Sequence, residues 1–151
     1  MSIRIVLFRP EIPANTGNVA RLSVAAGAEL HLVRPLGYSL SDRYLKRAGL
    51  DYWPHVRLTV HDSLEDVLRM FPEARAFYFS TKASRPHTSV RYAEGDLLVF
   101  GPESEGLPEE VLAANPDNAL TVPMFGPVRS LNLSTTVGVV VYEALRQIRG
   151  F

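Results

Sequence analysis

The sequence predicts an α/β fold, a mostly parallel sheet flanked by helices, in a single domain spanning residues 1–151. Three observations predict it. Short apolar runs alternate with segments of helical periodicity, glycine and proline punctuate nearly every boundary, and a chain that is 46% apolar carries no linker that would divide it.

Ile3 to Phe8 reads as a buried strand, and Pro10 to Pro13 forbids its continuation. Asn15 then fits a helix N-cap, with Val19, Leu22, Ser23 and Ala26 at helical spacing and Gly27 placed to end the helix. A second strand, Glu29 to Val33, stops before Pro35. A short helix over Ser41 to Ala48, closed by Gly49, leads to a strand near Val56 to Val60. Asp62 or Ser63 then caps a helix over Leu64 to Phe71. The strand Ala76 to Ser80, a polar loop through Arg91 and the strand Leu97 to Phe100 follow. A helix near Glu109 to Ala114, a strand Leu120 to Val122, a loop Pro123 to Leu131 and a long last helix to about Ile148 complete the chain.

Composition narrows the chemistry. The absence of cysteine excludes disulfides, thiolate nucleophiles and cysteine-based zinc sites, and His31, His55, His61 and His87 lack paired metal-ligand spacing, so no metal is expected. The longest apolar run, Val137 to Tyr142, is far too short to span a membrane, and a cytoplasmic protein is expected. Sixteen Lys and Arg balance sixteen Asp and Glu, so any nucleic-acid contact must be local. Arg43, Lys46 and Arg47 form one basic cluster, and Lys82, Arg85, His87 and Arg91 another; each is either an RNA contact or a solvated face.

Ligands of open parallel sheets bind beyond the carboxyl ends of the strands, where this chain has its three most unusual loops. The first, Pro13-Ala-Asn-Thr-Gly-Asn-Val-Ala-Arg21, sets Asn15, Asn18 and Arg21 three residues apart, either as a cap with exposed polar neighbours or as converging ligand contacts. It has neither the glycines and lysine of a P-loop nor a dinucleotide fingerprint. The second, Phe100-Gly-Pro-Glu-Ser-Glu-Gly-Leu-Pro108, begins with Gly101, where the missing Cβ would let a ligand approach, and turns at Gly106 and Pro108. Glu103 and Glu105 are either solvated or an acid/base pair. The third, Val122 to Ser134, offers Ser130, Asn132 and Ser134 as caps, Ser134 being favoured, while Met124 and Phe125 beside Pro123 suggest an apolar slot for something flat. Without an evident nucleophile or metal, the loops point to transfer from an already activated cosubstrate, such as a sulfonium methyl donor, where alignment and desolvation supply catalysis.

In this order and spacing the three loops resemble the signature motifs of the SPOUT methyltransferases. Pro10-Glu-Ile-Pro-Ala-Asn-Thr-Gly-Asn, Arg47-Ala-Gly-Leu-Asp-Tyr52 and the short chain are similar to the small TrmL-type (YibK-like) members. The resemblance implies a C-terminal trefoil knot, a homodimer packed through the first and last helices, and S-adenosyl-L-methionine as methyl donor. The expected acceptor is the 2'-hydroxyl of the wobble cytidine or uridine in leucine tRNAs. It assigns Arg21, Asn15, Glu103, Ser130 and Asn132 to catalysis. Phe79, Gly101, Val122, Ser130 and Leu131 are assigned to the donor, largely through main-chain atoms, and Arg43, Lys46, Lys82 and Arg85 are the expected RNA contacts. Arg21 stays protonated, so its expected role is to orient the target phosphate and ribose and to stabilise the developing alkoxide. Glu105, Phe79 and the turn Phe125 to Val128 depart from the family pattern. Another RNA target, or an RNA-binding module without catalysis, are the alternatives.

Overall fold

The computed structural model describes residues 2–41, 43 and 52–151. Most of the helix expected over residues 41–48, its stop at Gly49, Lys46 and most of the stretch from Arg47 fall outside these residues. Seven strands form one sheet in the order β3-β2-β1-β6-β4-β7-β5, and every pair is parallel. The strands are β1 (Arg4–Phe8), β2 (Glu29–Val33), β3 (Leu58–His61), β4 (Ala76–Phe79), β5 (Arg85–Pro86), β6 (Leu97–Phe100) and β7 (Ala119–Thr121). The helices are α1 (Pro13–Ala26), α2 (Leu64–Met70), α3 (Glu109–Ala114) and α4 (Leu133–Arg149).

The central strands β1, β2, β4 and β6 are largely apolar on both faces because helices cover both. Successive side chains point to opposite sides, so Ile5, Leu7, Leu30, Leu32, Leu98 and Phe100 pack in one layer with α1 and α4. Val6, Phe8, Val33, Leu97 and Val99 pack in the other, beneath Leu64 and Val67 of α2 and Leu107 ahead of α3. The stripe on α4 faces its own sheet, with Val137, Val140, Val141 and Ala144 fully buried. α4 also packs directly on α1.

Local chemistry sets the boundaries. α1 ends at Gly27, whose φ of 68° is the left-handed conformation a helix stop requires. Ser63, not Asp62, caps α2 by accepting from the Asp66 N–H at 3.1 Å. Three expectations are corrected. α1 begins at Pro13, so Asn15 lies inside the first turn and is buried rather than serving as the N-cap, because proline suits a position where no N–H is needed. The expected strand over residues 56–60 is shifted to Leu58–His61, after a 3₁₀ turn at Trp53–His55. The polar loop before Arg91 contains β5, a two-residue strand on the edge beside β7, too short for any periodicity to reveal.

Candidate active site

The segments that follow β1, β6, β4 and β7 meet at the carboxyl ends of those strands and enclose a cavity of about 460 Å³. That size is ordinary for a small-molecule site, roughly 300–1,000 Å³. Its wall includes Asn15 from α1, Phe79 to Lys82 beyond β4, Phe100 to Gly106 beyond β6, and Val122, Met124 and Arg129 to Leu133 beyond β7.

Two glutamates clasp the first loop to the second. The Glu103 carboxylate accepts from the Glu11 and Ile12 N–H groups, each at 2.8 Å, and from Asn15 Nδ2 at 3.2 Å. Because Ile12 is the N-cap position of α1 and has no capping side chain, Glu103 supplies a capping carboxylate from 91 residues away. In return, the Glu11 carboxylate accepts from Ser104 N–H at 2.8 Å and Ser104 Oγ at 2.9 Å. A carboxylate can only accept, so Asn15 turns its amide nitrogen to Glu103 and its oxygen the other way. That oxygen accepts from Asn132 Nδ2 at 3.1 Å. Asn132 Oδ1 in turn caps α4, accepting from the N–H groups of Ser134 (2.9 Å) and Thr135 (3.3 Å). Asn132 is therefore the α4 cap, and Ser134, expected in that role, donates its hydroxyl to Asn132 instead. Behind the first loop, Tyr38 donates to Thr16 Oγ1 at 2.5 Å, and burial pushes its phenol up to about 12, so it remains a neutral donor.

Gly101 is required for a reason other than ligand approach. A Cβ there would run into the backbone of Gly106 and Leu107, because the second loop folds back upon its own start. Gly106 completes the turn at φ +70°, with its N–H on the Pro102 carbonyl at 2.9 Å. At the base of the cavity the rings of Phe79 and Phe100 stack at 4.8 Å with 15° between planes. The bulk of Phe79 is thus spent on Phe100, leaving the backbone beyond it, Ser80 to Lys82, on the cavity wall.

This assembly of three loops has known counterparts. Residues 2–142 match the SpoU rRNA Methylase family. The chain belongs to the SpoU methylase family. This SpoU-family chain is 48% identical over 144 residues, 95% of its length and 94% of the relative's, to the tRNA (cytidine(34)-2'-O)-methyltransferase of Methylovorus glucosotrophus. A solved structure concerned with 2-OH methylation of C/U34 on tRNA shares 56% identity. It covers 99% of this chain and 98% of its own, with a TM-score of 0.94. An AdoMet-bound rRNA methyltransferase from Sinorhizobium meliloti is 26% identical, covering 96% of this chain and 56% of its own length, with a TM-score of 0.84.

The SpoU-family fold brings together Asn15, Glu103, Ser130, Asn132, Phe79, Gly101, Val122 and Leu131 around one cavity, with Lys82 on its edge. It does not bring Arg21 into that wall: Arg21 is exposed on α1, six residues past Asn15 and so about 9 Å along the axis. Arg43 is exposed, and Lys46 lies outside the described residues. Arg85 sits in β5 and donates to the Asp117 carbonyl, which gives it a structural task at the sheet edge. His87, grouped with the second basic cluster, is buried and held neutral-ward by that burial, so it does not belong to a solvated face. Sequence reasoning missed Glu11, Ser104 and Arg129. Glu11 follows Pro10 in a loop already singled out, but its partner lies 93 residues away, beyond the reach of spacing.

Proposed function

We propose that this chain transfers a methyl group from S-adenosylmethionine to the 2'-hydroxyl of the cytidine or uridine at position 34 of tRNA, leucine tRNAs being the expected species. One observation carries it. The three loops that resemble methyltransferase motifs close one cavity through the Glu103–Asn15–Asn132 chain of hydrogen bonds, in a chain nearly half identical to tRNA (cytidine(34)-2'-O)-methyltransferases along almost its whole length.

The cavity fits the donor. It is lined by the stacked Phe79 and Phe100, by the loop residues Ser80–Lys82, Thr121–Val122 and Ser130–Leu133, and by Glu103 and Glu105. When bound, the donor supplies an activated methyl group, so the protein needs no nucleophile of its own. Gly101, Val122 and Leu131 would hold it through main-chain atoms, with Phe79 supporting the base of the site. Asn15, Glu103 and Asn132 act by fixing the loops, since their polar atoms are already engaged with one another. Ser130, exposed on the third loop, is left to meet the acceptor ribose. Arg21, exposed on α1 outside the cavity wall, orients the target phosphate and ribose when the RNA is seated. Arg43, Lys46, Lys82 and Arg85 contribute positive charge along the RNA path.

A homodimer belongs to the same reading, through α1 and α4. Val139 and Tyr142 of α4 are 39% and 41% exposed despite the burial of the helix's other apolar face, which supports a second packing surface. The trefoil knot is part of the proposal on the resemblance of the three loops, the third of which spans residues 122–132. That loop leaves β7 and reaches Asn15 of α1 through Asn132. Among the described residues no helix is long and apolar enough to cross a membrane, and a cytoplasmic site of action is part of the proposal.

The test is incubation with total tRNA and labelled S-adenosylmethionine, followed by mapping of the methylated nucleotide. Label on the ribose of nucleotide 34 is expected. Label confined to ribosomal RNA in a parallel reaction would move the target, and no transfer to either RNA would overturn the assignment.

A further inference from the structure

Exposed apolar side chains that stand alone, as Met70 and Phe151 do, need no explanation. Phe125, Val128 and Leu131 differ. They are 97%, 59% and 37% exposed, they fall within seven residues, and all lie on the third loop at the rim of the cavity. Met124 and Arg129 on either side line the cavity, whereas Phe125 does not. Its ring is therefore presented outward from the site. The loop holding it is anchored at both ends, by β7 before Val122 and by the Asn132–Asn15 hydrogen bond after it, and is pinched between by Val128 N–H on the Gly126 carbonyl at 2.9 Å. Space around Gly126 is open. Arg129 has no ion-pair or hydrogen-bond partner among the described residues.

We propose that Phe125 is a stacking platform for an unpaired base of the RNA substrate, next to the ribose being modified, with Arg129 holding the adjoining phosphate. An exposed flat ring and an unpaired guanidinium four positions apart on one turn are the combination that grips single-stranded RNA: the ring accepts any base face, and the cation takes the backbone. A base stacked there would lie outside the donor cavity, with its sugar beside the exposed Ser130 of the same loop. The inference rests on the methyl-transfer reading above and names the residue that recognises the single-stranded part of that substrate.

The test compares wild type, Phe125→Ala, Phe125→Trp and Arg129→Gln with tRNA and labelled S-adenosylmethionine. Absence of transfer by the wild type would defeat the methyl-transfer reading itself. With an active wild type, Phe125→Ala is expected to raise the KM for tRNA about tenfold or more while leaving the melting temperature and the calorimetric affinity for S-adenosylmethionine unchanged. Phe125→Trp restores the KM, and Arg129→Gln raises it with a shallower dependence on salt. A KM in Phe125→Ala within twofold of wild type would overturn the proposal, as would loss of donor affinity. A changed sedimentation coefficient for Phe125→Ala would also overturn it, placing the ring between two copies of the chain.

Discussion

Asn132 donates to Asn15 across 3.1 Å, a single hydrogen bond that joins positions 117 residues apart and links the start of α4 to the start of α1. Because the other end of the Asn15 amide is committed to Glu103, three loops share one side chain. Asn15→Ala should therefore lower stability by about 1–3 kcal/mol. Asn15→Asp should do more harm, since it sets a second carboxylate against Glu103. Chemical denaturation of the two variants decides this; equal midpoints would show that the amide is not the bridge.

Glu103→Gln keeps the shape of the clasp but replaces an acceptor with an NH₂ group among three donors. One N–H must then go unpaired or reach water, at a cost of about 1–3 kcal/mol. The loss should be seen both in the melting temperature and in weaker binding of S-adenosylmethionine by calorimetry. Unchanged binding would mean that the loops keep their places without this carboxylate.

Gly101→Ala and Gly27→Ala separate two uses of glycine. At Gly27 nothing lies within 4 Å of a new Cβ, so only the positive φ opposes alanine, by roughly 1–2 kcal/mol. At Gly101 the Cβ meets backbone that cannot rotate away, so the whole second loop must move. Donor binding should survive the first change and be lost in the second, as titration of each purified variant would reveal.

Stability should fall in mild acid. Burial, the leading influence, holds His31 below the ordinary histidine range even though Glu29 at 2.9 Å pulls the other way, and burial lowers His61 and His87 as well. The unfolded chain takes up these protons near pH 6.5 while the folded protein resists them, so stability drops as pH descends from about 6.5 toward the lowered values. Urea midpoints at pH 7.5 and 5.5 should differ, and His31→Gln should flatten the slope. Equal midpoints in the parent protein would refute this.

Arg21→Ala should leave the fold alone, because an exposed helical position rarely shifts stability beyond about 0.5 kcal/mol, yet cut methyl transfer by about 100-fold or more. Turnover near that of the parent would remove Arg21 from the chemistry.

What the sequence disclosed follows from the range of the forces involved. The apolar runs of β1, β2, β4 and β6, the stop at Gly27 and the cap of α2 depend on neighbours a few residues away, so periodicity and capping rules found them. The three loops were found as unusual, and reading them as one signature led to the family. Their internal logic was hidden, since Asn15 and Ser134 satisfied local capping rules, but the α1 cap comes from Glu103 and the α4 cap from Asn132. The reason for Gly101 was hidden likewise, as it concerns the loop's own return path. Strand β5 was too short to announce itself, and the placement of Arg21 outside the cavity wall could not follow from a motif match.

The glutamate clasp also gives the cavity a direction. Glu103 and Glu105 line the cavity from the second loop, and Lys82, paired with Glu109 at 3.5 Å, and Arg129 line it from the segments beyond β4 and β7. A cationic sulfonium is favoured beside those carboxylates, and a phosphodiester beside the Arg129 guanidinium, so the same cavity offers each reactant a charge of the opposite sign.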